Sequence, residues 1–487
     1  MIAFLAGAAT VLAFAPVGMY PLALVTLGLL VHLWSRASPR RCFWSGFWFG
    51  LGLFGAGVSW VYVSLSQYGG MAPPLAALGT ALLCALLALF PAAAGWLQAR
   101  IPASQAVRAC LLIPAAWTLG EWLRSWVLSG FPWLSAGYAA VAWPLQGYGA
   151  VLGLFGLSFI TVALAGLIWL LFLRKKQLVA ALAMALVIAG GEALRHVDWA
   201  TPVGAPVAVA LLQGNTRQEM KFRPEHYANI LETYARLAAG TSARLIVLPE
   251  TAVPEFLDRI DPGYLAGLEA IARSNGGDLL LGVPYQDGPA EYYNSVVSLG
   301  ASGRQLYHKV HLVPFGEFAP PGLRWVLDLV QIPLSDFARG APGQKVLAAA
   351  GERVAVNVCY EDAFGAEIAR RLPDASLLVN VSNVAWFGDS LAPAQHLQIA
   401  RLRAIETARS YLTASNTGVT AAIDRDGRVL ARLPQFTEGR LEIATQGYRG
   451  ATPYVRFGDW PVLIASLLLL GAAVFIARRQ PVESKKP

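Results

Sequence analysis

Two kinds of hydrophobic pattern divide this chain. Long apolar runs cover residues 2–16, 20–35, 43–65, 72–98, 106–126, 150–173 and 177–194, and an eighth covers 460–477. A helix needs about 20 apolar residues to cross a bilayer, so these runs predict a polytopic α-helical membrane domain. The first run is short and ends at Phe14-Ala15-Pro16. It lacks a charged leader and a cleavage pattern, and another run follows at once, so it reads as a span rather than a signal peptide. Between 196 and 458 the pattern changes. The runs at 207–212, 245–248, 278–283 and 376–381 are short and nearly all apolar, as expected of strands buried on both faces. Helical patterns intervene at 223–237 and 262–273, and Asp424-Arg425-Asp426-Gly427-Arg428 reads as a hairpin turn. These alternations predict an α/β soluble domain with a mixed sheet. The expected division is a membrane domain of seven transmembrane helices over 1–195, a soluble domain over 206–444, a C-terminal transmembrane helix over 459–478 and a tail over 479–487.

Composition supports the membrane reading. Hydrophobic residues make up 56% of the 487 residues and charged ones only 14%, against about 25% in soluble domains. Mean hydropathy is +0.49. In such a chain the net charge of +8 concerns topology before nucleic acid, and no basic stripe interleaved with aromatics suggests a nucleic-acid groove. Arg36, Arg40 and Arg41 follow the second span, and Arg100 and Arg108 follow the fourth. Arg174, Lys175 and Lys176 follow the sixth, and Arg478, Arg479, Lys485 and Lys486 follow the last. All four clusters share one face if every span crosses once. That face is then cytoplasmic, both termini lie inside, and the soluble domain lies outside. Glu121, Arg124 and Glu192 sit close to span ends, where snorkelling of long side chains suffices.

The chemistry gathers in the soluble stretch. Cys359 is its lone cysteine, in Val356-Asn357-Val358-Cys359-Tyr360-Glu361-Asp362 directly after a strand-like run. A buried small hydrophobe is the commoner fate of such a residue. Here polar groups crowd the thiol, and a nucleophile fits equally. A thiolate needs a base and a cation nearby. Glu250 ends Leu248-Pro249-Glu250, where a strand gives way to a loop and α/β sites collect; a turn carboxylate is the plain alternative. Lys309 precedes the turn Pro314-Phe315-Gly316-Glu317 and could hold an oxyanion, or be a solvated loop lysine. Glu317 could hydrogen-bond Lys309 or the base, and Tyr360 and Glu361, crowding the thiol, are candidate positioning residues. Trp386 and Phe387 fit an acyl entry or aromatic core. The apolar residues of 318–332 fit a loop dipping into a membrane leaflet or a packed amphipathic helix. No CxxC, HExxH or Cys/His cluster supports a metal or disulfide framework.

In chain order, Glu250, Lys309 and Cys359 resemble the Glu–Lys–Cys site of the nitrilase, or carbon–nitrogen hydrolase, superfamily. Other motifs narrow the match. Phe14-Ala15-Pro16, Ser59-Trp60-Val61-Tyr62-Val63-Ser64, Gly130-Phe131-Pro132-Trp133, Gln213-Gly214-Asn215, Ser382-Asn383-Val384-Ala385-Trp386-Phe387-Gly388-Asp389-Ser390 and Ala414-Ser415-Asn416-Thr417-Gly418 resemble the apolipoprotein N-acyltransferase family. The resemblance covers nearly the whole chain. Departures fall at Val384, Val310 and Phe222, none of them a chemical residue.

The resemblance implies a nitrilase-like αββα sandwich beside the membrane domain. It also implies a two-step transfer in which Cys359 takes an acyl chain from a membrane phospholipid. The thioester then passes that chain to the N-terminal α-amine of the diacylglyceryl-cysteine of an apolipoprotein. No cofactor, metal or nucleic acid is implied, because the donor ester already holds the energy. The implied place is the bacterial inner membrane, with the catalytic domain on the periplasmic side. Two competing readings use the same residues: a membrane-tethered amidase or nitrilase that hydrolyses a C–N bond, and a receptor with a dead hydrolase domain. The number of spans favours a lipid acceptor over the first, and the intact Glu–Lys–Cys set disfavours the second.

Overall fold

The computed structural model describes residues 1–173, 176–288, 291–319, 322, 334 and 336–479. They form two compact units, one of residues 1–59, 78–197 and 457 onward, the other of residues 60–77 and 198–456.

The first unit is helical. Pro144–Leu171, Gln177–Arg195, Trp460–Arg479 and Pro73–Ala99, the last counted in this unit from Leu78, are each long and apolar enough to cross a membrane, and Ile2–Ala13 and Tyr20–Trp34 are shorter apolar helices. Without a hydrophobic drive between helices in lipid, close approach relies on small residues. Helix Ile2–Thr10 packs against Pro39–Gly57 in that way. A Cβ on Gly52 would come within 2.1 Å of the Phe4 carbonyl oxygen. The charges at 121 and 124 do not snorkel. Glu121 is 6% exposed and Arg124 only 2%. Glu121 Oε1 accepts from Trp117 Nε1 and from the Ala136 amide, both at 2.8 Å. Arg124 donates to the carbonyls of Phe131 (2.5 Å) and Trp133 (2.6 Å) and to Ser135 Oγ (2.9 Å). The pair therefore ties the turn over 125–135 to helix Ile113–Arg124. The sequence shows the charges but not the carbonyls that loop brings to them.

The second unit is built on two six-stranded sheets. The first contains β1 (Ala200–Gln213), β2 (Leu245–Val247), β3 (Asp278–Asp287), β4 (Glu291–Gly300), β5 (Gln305–His308) and β12 (Gly439–Gly450), in the order β12-β1-β2-β3-β4-β5. The second contains β6 (Leu347–Ala349), β7 (Glu352–Val358), β8 (Leu377–Ser382), β9 (Tyr411–Ser415), β10 (Ala421–Ile423) and β11 (Val429–Arg432), in the order β11-β10-β9-β8-β7-β6. Both are mixed. β1, β2 and β3 run parallel, as do β7, β8 and β9, with antiparallel strands outside them.

Successive strand residues face opposite sides, and here both sides are buried. Val209, Leu211, Val247, Leu280 and Val296 of one sheet meet Val356, Val358, Val379, Val381 and Leu412 of the other. On the outer face of the first sheet, Ala210, Leu212, Ile246 and Leu281 pack with helices Pro224–Ala239 and Pro262–Ser274. Outside the second, Ala355, Leu378 and Tyr411 pack with Ala400 and Ala404 of helix Ala392–Thr407. The result is the four-layer αββα sandwich. Double-sided burial explains the near-continuous apolar strands, each large aliphatic side chain contributing about 1.5–3 kcal/mol. Asp424 Oδ1 accepts from the amides of Asp426 and Arg428, closing the turn between β10 and β11.

Candidate active site

Three chain corners bring the chemistry together. Glu250 follows β2, Lys309 follows β5 and Cys359 follows β7. At Cys359 the strand turns sharply into the short helical turn Cys359–Ala363, with φ at +51°. Non-glycine residues rarely adopt that left-handed conformation, and where they do the surroundings must enforce it. Its carbonyl accepts from Asn380 Nδ2 at 3.0 Å. Glu250 sits at a similar corner, since Thr251 beside it has φ at +47°.

Lys309 has no exposed surface. Its Nζ donates to Glu317 Oε1 at 2.9 Å and lies 3.5 Å from Glu250 Oε1. Asn294 Nδ2 donates to both carboxylates, at 2.7 Å to Glu250 and 2.8 Å to Glu317. Glu250 Oε2 accepts from the Asn383 amide at 2.7 Å, and Glu317 Oε2 from the Val313 amide at 2.8 Å. Both carboxylates are thereby fixed on each side.

Glu361 does the same for the loop that carries Lys309. One oxygen accepts from the amides of Val310 (2.7 Å) and His311 (3.2 Å), and the other from the amide of Val358 (2.7 Å). Tyr307 Oη donates to both at 3.0 Å. The Lys309 loop and the Cys359 turn therefore share one buried carboxylate. Tyr360 packs edge-on to Phe364, which stacks on His311 at 3.5 Å between ring centroids. Trp386 and Phe387 form a separate aromatic group. Phe387 packs on Trp60 at 4.5 Å, Trp386 lies 6.2 Å from Tyr68, and Ser64 Oγ donates to the Trp386 carbonyl at 2.8 Å. Of the stretch 318–332, which fits a loop dipping into a leaflet, residues 318, 319 and 322 are described, and Leu323, Trp325, Val326, Leu327, Leu329 and Val330 lie outside the described residues.

Electrostatics follow from this packing. Cys359 keeps part of its surface, yet the groups around its thiol desolvate it. Burial and the Glu250 charge push the thiol well above its ordinary range, and Lys309 pulls it back. At neutral pH sulfur is therefore protonated, and a carboxylate stands by to take the proton. Burial alone would lower Lys309, but Glu317 and Glu250 outweigh it and hold the ammonium above its usual value. The resting cluster is a neutral thiol, a locked cation and hydrogen-bonded carboxylates. That combination suits acyl transfer through sulfur.

Several positioning groups escape sequence reasoning. Asn294 is a polar residue inside a strand, and Lys221 lies among charges that read as surface. His396 Nε2 lies 3.0 Å from Asp362 Oδ2 and 3.3 Å from the Cys359 carbonyl oxygen. No local pattern marks these residues, because partners far along the chain define them. Asn383 belongs to a motif whose sequence signal was visible, though its hydrogen bond to Glu250 was not.

Comparison with known proteins covers both units. The family described as apolipoprotein N-acyltransferase N-terminal domain matches residues 6–167, and the carbon-nitrogen hydrolase family matches residues 208–454. An apolipoprotein N-acyltransferase of Nitrosomonas europaea is 49% identical over 490 residues, covering 98% of each chain. One of Methylococcus capsulatus is 47% identical, covering 97% of this chain and 95% of its own. Among solved structures, a Nesterenkonia amidase of the nitrilase superfamily aligns with 52% of this chain and 95% of its own, at 20% identity and a TM-score of 0.36.

The His396 contact sets a pH dependence. Burial opposes the imidazolium, but the Asp362 charge and hydrogen bond, with the Cys359 carbonyl, raise it above its ordinary 6.5. A raised folded-state value stabilises the fold fully below the unfolded value, and that contribution is lost as pH rises through the folded one. Wild type should therefore exceed His396→Gln in thermal midpoint below 6.5, and the gap should narrow on the alkaline side. Thermal melts of both proteins across that range check it; a gap that widens with pH would contradict the assignment.

Proposed function

The chain belongs to the apolipoprotein N-acyltransferase family, and on that premise we propose that Glu250, Lys309 and Cys359 carry its reaction. Acylation begins as the Glu250 carboxylate takes the Sγ proton and sulfur attacks the ester carbonyl of a membrane phospholipid. The charge on the tetrahedral oxygen develops beside the Lys309 ammonium. Collapse breaks the ester C–O bond, Glu250 returns its proton to the departing lysophospholipid hydroxyl, and a thioester remains on Cys359. In the second half the α-amine of a diacylglyceryl-cysteine attacks that thioester. A C–N bond forms, the C–S bond breaks, and the amine's surplus proton passes through Glu250 back to sulfur. A thioester is activated toward amines, and a covalent intermediate lets two bulky lipids use one site in turn.

The observation that carries this reading is the buried cluster in which Lys309 lies 2.9 Å from Glu317 and 3.5 Å from Glu250, at the corner next to Cys359. Glu317 and Glu361 hold the cation and its loop, and Tyr360 buttresses the turn. Trp386 and Phe387, packed with Trp60 and Tyr68, suit passage of an acyl chain. A tethered amidase would need the same residues with water as acceptor. Among the described residues four helices are of membrane-crossing length, which favours a lipid acceptor, because a tether needs one. With every span crossing once, the four basic clusters share one face, which supports an inner-membrane topology with both termini cytoplasmic and the αββα unit periplasmic.

Cys359→Ala should abolish N-acylation of a diacylglyceryl peptide by the purified protein. Glu250→Gln and Lys309→Met should each lower it by about a hundredfold or more. Transfer at the wild-type rate by any of the three removes that residue from the mechanism.

Topology gives a second expectation. A phosphatase reporter that works only outside the cytoplasm, fused at Gly240, should be active, and a reporter that works only inside should be active at the C-terminus. The reverse pattern at Gly240 would overturn the periplasmic placement.

A further inference from the structure

Lys309 alone does not balance the charge in this centre. Glu250 and Glu317 bring two carboxylates to one ammonium. Proton transfer from sulfur to Glu250, then attack on the ester, moves the surplus negative charge to sulfur and on to the oxyanion without removing it. In a desolvated site such a surplus is costly.

A second buried ammonium stands beside the cluster. Lys221, on the turn Gln218–Lys221, is 2% exposed, and its Nζ donates to the backbone carbonyl of Glu250 at 3.2 Å. Gln218 on the same turn accepts from Asn383 Nδ2 at 2.9 Å. Asn383 in turn donates its amide to Glu250 Oε2 at 2.7 Å. This one turn thus grips Glu250 at its carbonyl and, through Asn383, at its carboxylate. Burial brings Lys221 down to about 8, while the charges of Glu250 and Cys359 pull it up. The ammonium therefore gains hold on its proton as negative charge develops on sulfur.

We propose that Lys221 is a second cation of the thioester site, a positioning residue that holds Glu250 and offsets the surplus carboxylate charge so that the Cys359 thiolate and the oxyanion can form. The proposal rests on the thioester reading above. A role limited to packing, or to the hydrogen bond on Glu250, makes different predictions from a role in charge. Lys221→Gln keeps a donor for the carbonyl and loses the charge, Lys221→Met loses both, and Lys221→Arg keeps the charge.

The test uses the full-length protein in detergent, at neutral pH, with two readouts. One is the rate of Cys359 alkylation by iodoacetamide, which tracks thiolate. The other is the initial rate of acyl incorporation from a phospholipid carrying a labelled chain. Lys221→Gln and Lys221→Met should slow both by about tenfold or more, and Lys221→Arg should recover most of the loss. Wild-type rates in Lys221→Gln would overturn the proposal. Faster alkylation with slower acyl incorporation would overturn it too, because a loosened site exposes its thiol. If wild type itself alkylates but takes no acyl chain, the thioester reading fails, and alkylation of the Lys221 variants alone then decides the charge role.

Discussion

A lysine ammonium with no exposed surface is the constraint on which the rest of this molecule turns. Stripping water from an ammonium costs several kcal/mol, and only well-placed anions and hydrogen bonds return it. Lys309 finds them in Glu317 and Glu250. Those carboxylates in turn need donors, which Asn294, Val313 and Asn383 provide. Breaking such a set by removing one member typically costs about 3–5 kcal/mol. The site is therefore rigid because each charge in it is paid for by its neighbours.

That requirement reaches into the fold. Glu250 and Lys309 end strands of one sheet, and Cys359 ends a strand of the other. Their meeting depends on the aliphatic layer between the sheets, which fixes β2 and β5 against β7. Glu361 adds a polar lock, since its carboxylate binds amides on both the Lys309 loop and the Cys359 corner. Val358 and Cys359 thus mark where the packed core ends and chemistry begins. The left-handed backbone at Cys359 is held by Asn380 on the neighbouring parallel strand. In the proposed reaction a thioester on Cys359 would spare the enzyme from holding two lipids at once.

Much of this was legible in the sequence, for identifiable reasons. The runs at 207–212, 245–248, 278–283 and 376–381 fall within or around β1, β2, β3 and β8, because strands buried on both faces leave an unbroken apolar signal. β12 leaves no such signal. Its exposed positions alternate with buried ones, and its partner β1 lies at the far end of the domain sequence. Glu250, Lys309 and Cys359 stood out because each follows a strand and fits a family motif. Lys221 and Asn294 did not, since their meaning comes from what folds against them. Arg124 was visible as a charge near a span end, while the carbonyls it binds are set by a turn that periodicity cannot trace.

In the proposed reaction the sulfur of Cys359 carries the acyl chain between two lipids. Intact-protein and peptide mass spectrometry tests it directly, after incubation with a phospholipid and no acceptor. One added acyl mass is expected on the peptide containing Cys359, discharged when a diacylglyceryl-cysteine peptide is supplied and recovered as an amide on that peptide. An unmodified Cys359 together with acylated acceptor would contradict it.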